Sequence, residues 1–398
     1  MTNNYRTFMA AGIVFYLLWT APAQAAITGL GPRDALLVTN AGGQILLAHN
    51  PTRALIPAST LKVVTALAVR HYLGDAHRFK TEFFLDPQHN LWIRGYGDPL
   101  LVSEVMVEIA RTLNRHLVAP INAILLDDRY FDKALVIPGI SSSTNPYDAP
   151  NGALCANFNT VNFKTRGGRI ISAEPQTPLL PMVMHRIRAS GLTRGRIVLS
   201  QHGNEAVLYA GELFKYFLKQ AGVPVRGPVR LAPAVPPPMQ MVYRHVSPFS
   251  MDEAISRSME FSNNFIANQL LIAAGARAYG APGNLVKGAR ALNTFAANDL
   301  GVSDARLVEG SGISRDNRIS ARGLMKALTR FEPHRRLMTH KANTFFKTGT
   351  LKGIRTRVGY IGREDGRLFR FVLLLNTPGR RPAPILRKVE AYLRRQPP

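Results

Sequence analysis

The 398-residue sequence predicts an α+β fold, with one antiparallel sheet drawn from both ends of the chain and an inserted, mainly β domain between them. Three observations predict it. Near the start, "ALLVTN" (35–40) and "QILLAHN" (44–50) flank Ala41-Gly42-Gly43, a hairpin signal. Near the end, "TFFKTGT", "RTRVGYIGR" and "LFRFVLLLN" follow one another across short Gly-containing turns. The stretch between, about 81 to 235, has a different texture: short segments such as "AILLDD", "TVNFKTR", "GRIVLS" and "EAVLYA", broken by frequent Gly and Pro.

Taken in order, residues 1–25 read as a signal peptide. Arg6 supplies the positive end, "FMAAGIVFYLLW" (8–19) the apolar segment, and Ala23-Gln24-Ala25 an A-x-A cleavage site. A dozen apolar residues fall short of the roughly 20 that a bilayer span needs. The mature chain is therefore expected to begin near Ala26, exported and periplasmic. The hairpin leads into "IPASTLKVVTALAVRHYLG" (56–74), where Leu61, Val64, Thr65, Ala68 and Tyr72 recur at helical spacing and Gly74 is a C-terminal stop. Ser59 then falls in the first turn, where free N–H groups favour negative charge. "LAPAVPPPMQ" (231–240) reads as a semi-rigid linker out of the insertion. Segments 250–277, 284–298 and 320–331 read as helices, and a basic amphipathic segment, 384–395, closes the chain. The expected division is 26–80 with 236–398 as one discontinuous domain, and 81–235 as the insertion.

Lys and Arg number 50 against 25 Asp and Glu, a formal charge of +25. Loss of Arg6 with the signal peptide, and of no acid, leaves the mature chain at +24. Such a field could attract nucleic acid or an anionic surface. No RNP-like, zinc-finger or basic-zipper pattern accompanies the cations, and export removes nucleic acid as a partner, so an anionic envelope surface is the better candidate. The single cysteine, Cys155, permits no internal disulfide and reads as a buried, inert thiol. The ten histidines form no metal-spaced pattern, so neither metal nor organic cofactor is expected.

Chemistry enters at Ser59 and Lys62. Residues i and i+3 are neighbours on a helix, so the Lys62 ammonium can approach the Ser59 hydroxyl. Alone, that spacing is equally an N-cap serine beside a solvated lysine. A serine–lysine acyl-transfer site also needs a polar group to relay a proton to the leaving amine, and a strand whose cation and backbone bind carboxylate and oxyanion. K-T-G occurs once, as Lys347-Thr348-Gly349 in the β-rich "TFFKTGT". S-x-N occurs twice. Ser143-Thr144-Asn145 lies in a Pro-containing loop, whereas Ser262-Asn263-Asn264 lies between helical segments, 85 residues before K-T-G, and is the one chosen. This combination is known from penicillin-binding proteins and class A β-lactamases.

With "IPASTLKVVTALA", "GYGDPLL", "YDAPNGALCANFN", "SNNFIANQLL", "EGSGISRDNRIS" and "FKTGTLKGIRTRVGYIG", the chain resembles the D-alanyl-D-alanine carboxypeptidase/endopeptidase family of the penicillin-binding protein 4 type. The resemblance implies a serine β-lactamase/transpeptidase-like domain, with helices on both faces of its sheet. It implies Ser59 as nucleophile, Lys62 as general base and Ser262 as relay to the leaving nitrogen. Asn264, Lys347, Thr348, Gly349 and Thr350 would bind substrate, and the N–H groups of Ser59 and Thr350 the oxyanion. The implied substrates are peptidoglycan stem peptides, with β-lactam antibiotics as covalent inhibitors. The chain departs from the family in "GISSSTNPYDAP", where a serine or threonine stands at the place of a frequent acid. A β-lactamase and a non-catalytic peptidoglycan-binding protein are the competing readings.

Overall fold

The computed structural model describes residues 27–117, 119–133, 135–200 and 203–396, so the expected signal peptide lies outside the described residues. β1 (Asp34–Asn40) and β2 (Ile45–His49) form the hairpin. A 3₁₀ turn (Ala58–Leu61) then enters α1 (Lys62–Leu73), which stops at Gly74 with φ +85°. The central stretch holds β3 (Lys80–Leu85), β4 (Leu91–Gly95), α2 (Ser103–His116), β5 (Ile124–Asp127), β6 (Thr160–Arg166) and β7 (Arg169–Ser172). It continues with α3 (Pro181–Ala189), β8 (Arg194–Val198), α4 (Glu205–Gln220) and β9 (Val229–Leu231). β10 (Gln240–Val246) leads to α5 (Met251–Glu260), α6 (Asn264–Tyr279), α7 (Leu285–Asn298) and α8 (Ala321–Phe331). β11 (Thr339–Lys341), β12 (Thr344–Leu351), β13 (Ile354–Gly362), β14 (Leu368–Leu375) and α9 (Pro382–Arg394) follow.

The two chain ends meet in one sheet, ordered β11-β12-β13-β14-β1-β2, and every pairing in it is antiparallel. Side chains alternate between its faces. Leu36, Val38, Phe371, Leu373 and Leu375 pack with Ile385, Leu386 and Val389 of α9. Ala35, Leu37, Val358, Val372 and Leu374 face a larger core that takes in α1, α6 and α8. Burial on both faces explains why "LFRFVLLL" is almost wholly apolar. Its one charge fixes the register. Arg370 is buried, pairs with Glu332 at 2.6 Å, and donates to the carbonyls of Asn40 and Ala41. A one-residue slip would carry this guanidinium into the α9 face with no partner.

A second core lies under a mixed sheet, β10-β3-β4-β5-β9, and a small antiparallel sheet, β7-β6-β8, with α2, α3 and α4. Here the expectation of a mainly β insertion is corrected, because three helices share the stretch with its strands. "EAVLYA" is the opening of α4, not a strand. Val207 and Tyr209 alternate, but Ala210, Leu213, Phe214, Phe217 and Leu218 continue at helical spacing and are buried. Six residues were too short a window to tell the two periods apart. β10, which follows the expected boundary at 235, pairs with β3 in the second sheet. The helical stretch 250–277 is two helices, with Ser262-Asn263-Asn264 at their junction, as the sequence predicts. It breaks at Phe261-Ser262-Asn263, where Ser262 takes φ +50° and the Asn263 side chain caps α6 by accepting from the Ile266 N–H at 3.0 Å.

Candidate active site

Three elements converge where the sequence places its motifs. The 3₁₀ turn and the start of α1 bring Ser59 and Lys62, the α5–α6 break brings Ser262 and Asn264, and β12 brings Lys347. β12 has β11 beside it only at Thr344–Phe346, so the edge beyond that point faces the 3₁₀ turn. Gly349 permits this approach. A Cβ there would lie 2.9 Å from the Ser59 backbone nitrogen and 2.2 Å from Thr356 Oγ1. Thr356 Oγ1 and Thr60 Oγ1 both donate to the Pro57 carbonyl, at 2.7 and 2.6 Å, pinning the entry to the turn.

Lys62 is 1% exposed, and its ammonium spends all three donors: on Ser59 Oγ at 3.2 Å, Asn264 Oδ1 at 2.9 Å and the Ser311 carbonyl at 2.8 Å. Burial drives its pKa well below the ordinary lysine value, the neighbouring Lys347 charge lowers it further, and Glu309 opposes both. Lys347, 2% exposed, donates to Ser262 Oγ at 2.9 Å and to its neighbour's carbonyl, Thr348 O, at 3.0 Å. Burial lowers its pKa to about 8. The two lysines therefore hold one serine each. Ser59 and Ser262 are partly exposed, while Thr348 and Thr350 stand exposed on β12. A lysine that is easily deprotonated beside a reachable hydroxyl can remove that hydroxyl's proton, which is the requirement for a serine nucleophile.

The other S-x-N triplet is not part of this cluster. Ser143 Oγ donates to Asp148 at 2.5 Å within its own loop. That loop still reaches the site, since Asn264 Nδ2 donates to the Tyr147 carbonyl at 3.4 Å. Beside Asn264 opens a groove of about 530 Å³, whose lining includes Tyr147, Phe158, Phe261, Arg196 and Arg257. Cys155 is buried, and desolvation pushes its thiol up to about 12, so it is not poised as a nucleophile.

Sequence reasoning missed Glu309. It is fully buried and accepts from the Ser311 N–H and hydroxyl, the Gly312 N–H, Asn268 Nδ2 and Asn317 Nδ2, all between 2.6 and 3.1 Å. The carboxylate thereby shapes the loop that offers the Ser311 carbonyl to Lys62. Gly312, at φ +83°, lies so close to Ala58 that a Cβ would sit 1.9 Å from its carbonyl oxygen. "EGSGISRDNRIS" carried this information as a motif. Nothing in its spacing assigned the acid a partner 247 residues away.

Comparison with known proteins follows the same outline. Residues 30–191 and 195–342 match the profile of the D-Ala-D-Ala carboxypeptidase 3 (S13) family. D-alanyl-D-alanine carboxypeptidase DacB of Haemophilus influenzae is 23% identical over 401 residues, covering 84% of this chain and 83% of that protein. D-alanyl-D-alanine carboxypeptidase of an Actinomadura species is 25% identical over 348 residues, 75% of this chain and 63% of that one. The crystal structure of the Haemophilus protein, penicillin binding protein 4, has a TM-score of 0.72 at 20% identity and covers 90% of this chain and 96% of its own; it has also been solved complexed with a β-lactam. A predatory peptidoglycan endopeptidase from Bdellovibrio bacteriovorus has a TM-score of 0.52 at 16% identity, covering 90% of each chain.

Proposed function

Because this chain belongs to the D-Ala-D-Ala carboxypeptidase 3 (S13) family, we infer that it is a serine-type D-Ala-D-Ala carboxypeptidase, removing the terminal D-alanine from peptidoglycan stem peptides. The observation that carries the reading is the buried Lys62 ammonium within hydrogen-bond reach of Ser59 Oγ. In the proposed mechanism Ser59 Oγ attacks the carbonyl between the two D-alanines, and its proton passes to neutral Lys62. The N–H groups of Ser59 and Thr350 hold the oxyanion, each such donor contributing about 3 kcal/mol to the transition state. The proton taken up by Lys62 returns by way of the Ser262 hydroxyl, which passes its own proton to the leaving nitrogen as it receives that one, and free D-alanine departs. Asn264 holds the substrate backbone, while Lys347, Thr348 and Thr350 hold the terminal carboxylate alongside Gly349. Water then attacks the ester, releasing the shortened peptide and restoring Ser59.

β-Lactams fit the same scheme, since their strained amide replaces the D-alanyl bond and leaves Ser59 acylated; the complexed relative supports this. The endopeptidase neighbour supports a second activity on cross-links that end in D-alanine. Export with cleavage after Ala25, and an anionic envelope surface as the working environment, belong to the same proposal. So does the division into a catalytic domain and an insertion, with the return boundary near residue 247 because β10 completes the second sheet. Fluorescent penicillin tests the central claim: the protein should be labelled at Ser59, and Ser59→Ala should lose the label while keeping its melting temperature. Label retained after that change would place the nucleophile elsewhere. N-terminal sequencing of the exported protein should begin at Ala26.

A further inference from the structure

Five cations surround a cleft of about 360 Å³ that the mechanism does not use. Arg33, Arg53, Arg315, Arg318 and Lys352 are among its lining residues, and no acidic residue is. Among the described residues, none of the five is ion-paired; the nearby carboxylate of Asp34 is spent on Arg380 and on the backbone of Gly31, Asn376 and Thr377. Three of the guanidinium groups are oriented by backbone carbonyls: Arg53 by Pro32, Arg315 by Lys352, and Arg318 by Arg315 and Asn317. Those bonds use one or two of each fork's five donors. The wall segment 54–56 is tied to the end of β14 through Asn376, which both donates to and accepts from the Ile56 backbone. Ile56 precedes Ser59 by three residues, and Lys352 follows Thr350 by two.

Like charges held together in this way repel unless an anion is placed between them. A single carboxylate would leave four of the five charges facing one another. Two phosphate groups bring about three to four negative charges, with oxygens that suit guanidinium forks. We propose that this cleft binds a ligand carrying two neighbouring phosphate groups, beside the segment that presents Ser59. The chemistry is shared by a soluble diphosphate and by a phosphate-rich lipid headgroup.

Titration calorimetry with inorganic pyrophosphate at physiological ionic strength tests the site. Wild-type protein should bind pyrophosphate at least tenfold more tightly than inorganic phosphate. Arg33→Gln/Arg53→Gln should weaken pyrophosphate at least tenfold, and Arg33→Gln alone, which breaks no side-chain hydrogen bond among the described residues, at least threefold. Arg387→Gln/Arg395→Gln, exposed on or just beyond α9, should change it less than twofold. Unchanged penicillin labelling reports that each variant is folded. No binding by the wild type, or equal losses in the cleft and α9 variants, overturns the proposal, because the signal would then belong to the general charge. Vesicles of phosphatidylcholine with and without a lipid whose headgroup is a pyrophosphate assign the source. Selective loss of vesicle binding in the cleft variant means a headgroup; loss confined to pyrophosphate means a soluble ligand.

Discussion

Lys347 and Glu309 carry the predictions at the scale of single residues. With its pKa lowered to about 8 by burial, Lys347 is cationic below that pH and neutral above it. Its proposed bond to a substrate carboxylate is an ion pair only while it is cationic, a difference of about 1.5–3 kcal/mol, or roughly ten- to a hundredfold. KM for a peptide ending in a free carboxylate should therefore rise as pH passes about 8, while the matching C-terminal amide stays flat; parallel curves would remove Lys347 from carboxylate binding. Lys347→Gln should abolish most of the preference for acid over amide. Glu309 acts through others. Its charge raises the Lys62 pKa, so Glu309→Gln should let Lys62 lose its proton at lower pH and shift the acid limb of acylation downward. The same change sets an amide N–H₂ against donors, costing about 1–3 kcal/mol of stability and lowering the plateau rate. A lowered plateau with an unmoved acid limb would leave Glu309 a structural role only.

Among the elements, the break between α5 and α6 separates chemistry from scaffolding within one triplet. Asn263 caps α6, whereas Asn264 accepts from Lys62. Asn263→Ala should cost about 1 kcal/mol of stability and leave penicillin acylation within a fewfold. Asn264→Ala should cut acylation on the order of a hundredfold, because it strands a buried ammonium donor. Acylation rates and melting curves measured on both variants decide it, and the reverse pattern would mean that the triplet is misaligned by one. The two glycines that let β12 and the 309–312 loop close on Ala58–Ser59 make a second element-scale device. Gly349→Ala should impair acylation more than stability, since the intruding methyl meets the Ser59 backbone.

Across the whole molecule, charge is the dominant property. For a full-length formal charge of +25, attraction to the proposed anionic envelope surface would reach about 10 Å at 0.1 M salt and about 3 Å at 1 M. Turnover on intact peptidoglycan should fall as salt rises through that range, whereas turnover of a small soluble pentapeptide should hardly change. An equal salt effect on both substrates would assign it to the site and not to the surface. How much of this was legible in the sequence follows from distance along the chain. The hairpin, the three closing strands and the helices α7 to α9 were readable, because hydrophobic period and turn chemistry are local. Ser59 and Lys62 were readable as a pair because one helical turn joins them, and Ser262 and Lys347 because they sit in short triplets of fixed order. Tertiary structure alone decided the rest. It gave Ser262, at the junction of two helices, a left-handed backbone that no Gly or Pro announced, and turned "EAVLYA" into a helix through residues beyond its window. It also set Glu309 beneath Lys62 and gathered five scattered cations around one cleft. Contacts between residues hundreds of positions apart leave no period in the sequence, and only packing brings them within hydrogen-bond range.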